Sequence, residues 1–207
     1  TFTQPLAGAM TITDAICFEA CDGTASVVPS GGNGAFVYTW SDAIAGDTIV
    51  ATDLCAGDYS LNITDENACF VDVPFTVGQP VLLEIDSISY VEPWCFGSCD
   101  GSVTISDSEA VEYSFDGGGS FSPEPTLLDA CSMVYDLVIH NADGCVGTGV
   151  VLLPQPPQVV AEFEWGPIPA NVNAPTIFFH DASANAASWN WDIGGFIFPT
   201  DPDPAFT

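Results

Sequence analysis

The chain of 207 residues carries 28 aspartates and glutamates and neither lysine nor arginine, a formal charge of −28. With no guanidinium or ammonium side chain, it has no basic grip on phosphate. That excludes nucleic-acid binding, attachment to anionic lipid through basic residues, lysine Schiff-base chemistry and Walker-type phosphate loops. Ten acids fall in residues 5–79, twelve in 80–156 and six in 158–207, and 47% of the chain is hydrophobic, so this is folded material with an acidic surface rather than a disordered acidic tail.

Taken in chain order, Thr1-Phe-Thr-Gln4 reads as the end of a preceding repeat, and Gln4-Pro5 as a junction. Cys17-x₃-Cys21-Asp22-Gly23 follows, then the turn Gly31-Gly-Asn-Gly34. Phe36, Tyr38 and Trp40 alternate, then Tyr59, Leu61 and Ile63, then Val71, Val73, Phe75 and Val77. Period-two alternation predicts strands with one face in a core and one in water. Gln79-Pro80 opens a second round. Cys95-x₃-Cys99-Asp100-Gly101 leads to Tyr113 and Phe115, the turn Gly117-Gly-Gly119, then Tyr135, Leu137 and Ile139, and the turn Asp143-Gly144. Gln155-Pro156 closes that round, 76 residues after Gln79, which itself stands 75 after Gln4.

Four cysteines in register in each round define two homologous units, residues 5–79 and 80–157. Helical periodicity is absent from every long stretch. The predicted fold is all-β: tandem small immunoglobulin-like β-sandwiches, each thin in core and cross-linked by disulfides. An even cysteine count in small turn-rich units points to an oxidising, extracellular setting, and no apolar run is long enough to cross a membrane. No signal peptide precedes these exported features, so the segment is expected to belong to a longer chain.

The motifs Cys-x₃-Cys-Asp-Gly-Thr, Gly-Gly-Asn-Gly, Tyr38-Thr-Trp40-Ser, Leu54-Cys-Ala-Gly-Asp-Tyr59, Thr64-Asp-x-Asn-x-Cys69 and the closing Gln-Pro resemble the SprB-type repeat. Residues 80–157 are similar at the cysteines, with Tyr113-Ser-Phe-Asp-Gly-Gly in place of the Tyr-x-Trp-Ser segment. The resemblance implies repeat arrays on giant surface or gliding adhesins of Bacteroidetes, exported by type IX secretion, and no catalytic site. Residues 158–207 lack cysteine. Their Ala161-Glu-Phe-Glu-Trp165, Phe178-Phe-His-Asp181, Trp189-Asn-Trp191-Asp192 and Asp201-Pro-Asp-Pro-Ala-Phe206 resemble the front half of a PKD domain. The later strands of that sandwich are expected from further chain or from another molecule.

Four cysteines per repeat allow three connectivities. The expected pairing is Cys17–Cys69 and Cys21–Cys55, with Cys95–Cys145 and Cys99–Cys131. The basis is that Tyr59 and Tyr135 start strands that should return beside the Cys-x₃-Cys segment. The candidate calcium ligands are Asp65, Glu66 and Asp143; the competing reading is that such Asx residues shape turns. No cofactor is required. Thr48 and Ser87 fit the Asp-Ser/Thr-apolar pattern of O-glycosylation that the resemblance implies, and Asn62-Ile-Thr64 fits the N-linked pattern. Trp94, Trp165, Trp189 and Trp191 are candidates for stacking on sugars or for cores, with Trp40 and Trp191 read as core. The expected partners are neighbouring repeats of the same chain, surface glycans and the type IX secretion or gliding machinery. Two other settings compete with an adhesin: a spacer or carbohydrate-binding array on a secreted hydrolase, and a self-assembling sheath.

Overall fold

A computed structural model describes residues 4–41, 44–166, 176–199 and 202–206. The reading of residues 1–4 therefore lies outside the described residues for Thr1–Thr3, as does Asp201 of the C-terminal motif. The architecture is all-β. Among the described residues no helix is long and apolar enough to cross a membrane. The described residues divide into two compact units, those within 4–87, 105–125 and 136–150, and those within 88–104, 126–135 and 151–206.

In the first repeat β1 (Ala7–Thr13), β2 (Gly23–Ser30) and β4 (Val50–Leu54) form one sheet in the order β1-β2-β4. β3 (Phe36–Trp40), β5 (Gly57–Asp65) and β6 (Phe70–Val77) form the other, with β5 central. All pairings are antiparallel. The alternation seen in the sequence becomes one buried face: Ala25 and Val27 from β2, Leu61 and Ile63 from β5, and Phe75 and Val77 from β6 join Trp40, Ala51 and Leu54 in one core. Trp40 meets Phe75 edge-on at 5.8 Å, and its indole N–H donates to the Thr48 carbonyl at 2.9 Å. Burying this tryptophan therefore leaves no unpaired donor.

Residues 87–152 repeat the same strand order. β7 (Ser87–Val91), β8 (Gly101–Ser106) and β10 (Thr126–Ala130) form a sheet ordered β10-β8-β7. β9 (Ala110–Ser114), β11 (Val134–Asn141) and β12 (Val146–Leu152) form a sheet ordered β12-β11-β9. The Leu137 and Ile139 side chains are buried, as are those of Val103 and Ile105. The backbone details recur too. Asp53 and Asp129 both take positive φ (59° and 53°), each beside a register shift in the pairing of its strand.

In the C-terminal segment β13 (Phe163–Gly166) and β14 (Ile177–Asp181) pair, and β14 also pairs with β17 (Ala205–Phe206). β15 (Asn190–Ile193) and β16 (Phe196–Pro199) form a hairpin. Its loop is Gly194-Gly195 with φ of 62° and 90°, the positive pair that a two-residue type I′ turn demands. Phe163, Phe179 and Trp191 cluster with ring centroids 5.5–6.0 Å apart.

Candidate functional site

The Cys-x₃-Cys loop is built by hydrogen bonds that recur in both repeats. The Asp22 carboxylate accepts from Ile16 N–H at 3.0 Å, and Asp100 accepts from Trp94 N–H at 3.1 Å. Inside the loop Ala20 N–H donates to the Cys17 carbonyl and Ser98 N–H to the Cys95 carbonyl, both at 3.1 Å. The Gln-Pro glutamines hold each loop from outside: Gln79 Oε1 accepts from Glu19 N–H at 2.7 Å, and Gln155 Oε1 from Gly97 N–H at 2.8 Å. Read from the sequence, Gln-Pro is only a junction between repeats, and this tie is not visible there. The signal available was a glutamine at a similar distance beyond each loop, 60 residues from Glu19 to Gln79 and 58 from Gly97 to Gln155.

The fourth cysteine of each repeat closes a turn. Asp65 Oδ1 accepts from Asn67 N–H and Cys69 N–H, both at 2.9 Å, while its other oxygen accepts from Asn33 N–H at 3.1 Å. In the second repeat Asn141 Oδ1 accepts from Asp143 N–H at 3.0 Å and Cys145 N–H at 2.9 Å. Ala68 and Gly144 take the positive φ that completes these turns, 60° and 83°. Asp65 is thus a turn-former with both oxygens committed to backbone amides, and an amide serves equally well at position 141. Asp143 stands where Asn67 stands in the first repeat, so it belongs to a different turn from Asp65 and Glu66. Among the described residues no group of three or more His, Cys, Asp or Glu side chains is placed to hold a metal ion.

The cysteine connectivity departs from expectation in half of its bonds. Cys21–Cys55 and Cys99–Cys131 are present, closing sequence separations of 34 and 32. Tyr59 and Tyr135 donate their hydroxyls to the carbonyls of Cys55 and Cys131 at 3.0 and 2.9 Å. Cys17–Cys69 and Cys95–Cys145 do not form. Cys17 is bonded instead to Cys145 of the other repeat, 128 residues away with Cα atoms 5.4 Å apart, and Cys69 and Cys95 are free, exposed thiols.

The reason is strand direction. The Cys17 loop is anchored at the end of β6, where Ala15 N–H meets the Gly78 carbonyl at 3.0 Å and Gly78 N–H meets Asp14 Oδ1 at 2.7 Å. Cys69 sits at the start of β6. Eight residues at about 3.3 Å each put the two about 26 Å apart, several times the Cα separation a disulfide tolerates. The strand starting at Tyr59 does begin beside Cys21, but it carries Cys69 away from it. Around the Cys17–Cys145 bond lies a cavity of about 230 Å³ lined by Phe18, Leu82, Leu83, Gly144 and Val146. The link therefore sits in an apolar joint between the loop end of one repeat and the turn end of the next.

Thr48 is exposed, and its hydroxyl bridges Val50 N–H and carbonyl at 3.0 and 3.1 Å. Ser87 is exposed at the start of β7. Asn62 lies in the central strand β5, donating to Asp72 at 2.7 Å and accepting from Thr64 at 2.9 Å. Trp94 is 81% exposed and Trp165 49% exposed, whereas Trp189 and Trp191 are half-buried. His140 stacks on Phe121 at 4.3 Å, and His180 Nδ1 lies 2.7 Å from Asp203.

Small antiparallel β-modules in tandem, with a disulfide between one and the next, define a cross-linked repeat protein. The family model of the SprB repeat matches residues 9–43, the stretch that holds Cys17-x₃-Cys21-Asp-Gly and Tyr38-Thr-Trp40. No curated protein matches the chain.

Proposed function

We propose that the chain is a segment of a long, secreted, non-enzymatic surface protein of the adhesin or filament type, in which each repeat is a rigid bead and the array bears force. The observation that carries this reading is the Cys17–Cys145 bond, which ties consecutive beads together independently of the chain between them. The bond closes residues 18–144 into a covalent loop, so tension carried along the chain bypasses the strands inside it. The SprB match over residues 9–43 supports a bacterial cell-surface setting of the Bacteroidetes kind, with type IX export and the gliding machinery as partners. Residues 158–207 are read as a PKD-like module continuing the array. The exposed Trp94 and Trp165 are the side chains best placed to stack on surface glycans.

Antibody against the chain tests this on intact cells of the source organism. Labelling without permeabilisation, and loss of adhesion or gliding when the antibody is present, is the expected result. Labelling that requires permeabilised cells would sink the reading. A glycan array probed with the chain and with a Trp94→Ala variant tests the adhesive face separately.

A further inference from the structure

Cys69 and Cys145 hold the same place in their repeats. Each closes the turn between the fifth and sixth strands, with its N–H on a side-chain oxygen at 2.9 Å and its carbonyl accepting from Asp65 N–H at 2.9 Å or Asn141 N–H at 3.2 Å. Cys145 is bonded to the first cysteine of the repeat before it in the chain. Cys69 presents the same turn with an exposed thiol, and Cys17, the first cysteine of its own repeat, is already used at the far end of β6.

The opposite end of the pattern is also visible. Cys95 is the counterpart of Cys17, and it faces a cavity of about 460 Å³ lined by Trp94, Phe96, Pro156, Pro157, Val159 and Asn185 among others. This repeats the joint at Cys17, with Phe96 for Phe18 and Val159 for Leu83. Asn185 stands against the loop where Gly144 and Cys145 stand in the first joint, held by its own bond to the Gln158 carbonyl at 2.8 Å. Residues 158–207 contain no cysteine, so the joint is reused there without its bond.

From this geometry we infer that Cys69 is an acceptor thiol, bonded in the assembled protein to the first cysteine of a Cys-x₃-Cys-Asp-Gly repeat that precedes it in the same polypeptide. The first cysteine of each repeat then joins the fourth of the next, as a ladder, and Cys95 is the thiol left where the array meets a cysteine-free module. Forming the bond needs a two-electron oxidant of the disulfide class, a thiol–disulfide oxidoreductase or a small disulfide. One thiolate attacks the oxidant's disulfide to give a mixed disulfide and expels one of its sulfurs. The second thiolate then displaces the other. One S–S bond forms, and the oxidant leaves as two thiols carrying two electrons and two protons.

Disulfide mapping tests this on two samples. The purified 207-residue chain, alkylated while denatured and unreduced, should take two labels, on Cys69 and Cys95. Finding Cys17–Cys69 or Cys95–Cys145 peptides would overturn the ladder. In full-length protein taken from cells with thiols blocked at lysis, the Cys69 peptide should be recovered joined to the first cysteine of an upstream repeat of the same chain. Recovery of Cys69 as a free thiol, bonded to Cys95, or bonded to a separate chain would overturn the inference. A Cys69→Ser variant should lose that one cross-link while keeping Cys21–Cys55, which separates loss of the bond from failure to fold.

Discussion

Single carboxylates hold turns together here by accepting from backbone N–H groups and serine hydroxyls. The Asp116 carboxyl is held down to about 2 by the Ser114 hydroxyl first, then by the Ser120 hydroxyl and N–H, at 2.7, 2.7 and 2.9 Å. A folded pKa below the ordinary 3.8 means that ionised Asp116 stabilises the fold at higher pH. That contribution is fully present above about pH 4 and is lost as pH falls through about 2. An NMR titration should find Asp116 among the last carboxyls to protonate, and Asp116→Ala should raise amide exchange at Gly118 and Ser120 without changing the core. Asp65 should be costlier to remove. It is buried, and Asp65→Ala strands three N–H donors, a loss of about 1–3 kcal/mol in urea unfolding. Asp65→Asn should cost much less, because the second repeat already uses Asn141. The Asx spacing was legible in the sequence, but the choice between turn and calcium site was not, because it depends on which amides reach the oxygens.

At the scale of elements, strand β5 is the most informative. Its alternation of Leu61 and Ile63 with Asn62 and Thr64 could be read directly, and all four fall where period two places them. Leu61→Ala should cost about 2–5 kcal/mol in equilibrium unfolding, since it empties the centre of a core built from both sheets. Val37→Ala on exposed β3 surface should stay within about 0.5 kcal/mol. Equal losses at the two sites would contradict the assigned inward face. The strands were legible because alternation is local. Their consequence for the cysteines was not, because a strand's far end is fixed only when its neighbours set its direction.

At the scale of the whole molecule, charge and cross-links divide the work. With 28 acids and no lysine or arginine, the folded surface repels itself, so added sodium chloride should raise Tm steeply at low ionic strength and level off as screening saturates. Chelation of calcium at fixed ionic strength should leave Tm unchanged, because Asp65 is committed to backbone amides. A specific fall on chelation would instead support the calcium reading of Asp65, Glu66 and Asp143. The missing basic residues also leave trypsin-like proteases no cleavage site in this segment, folded or unfolded.

What the sequence alone determined are the properties carried by residue identity and short spacing. These are an acidic surface without basic partners, the all-β class and the two rounds of strands; of the four expected cysteine pairs the structure holds Cys21–Cys55 and Cys99–Cys131. Only the tertiary structure decided that Cys17 belongs with Cys145. About 26 Å of strand separates the loop and turn cysteines of one repeat, and packing alone brings the loop of one bead against the turn of another. The same four-cysteine motif is compatible with isolated beads or with a covalent chain of them, and strand direction selects the chain.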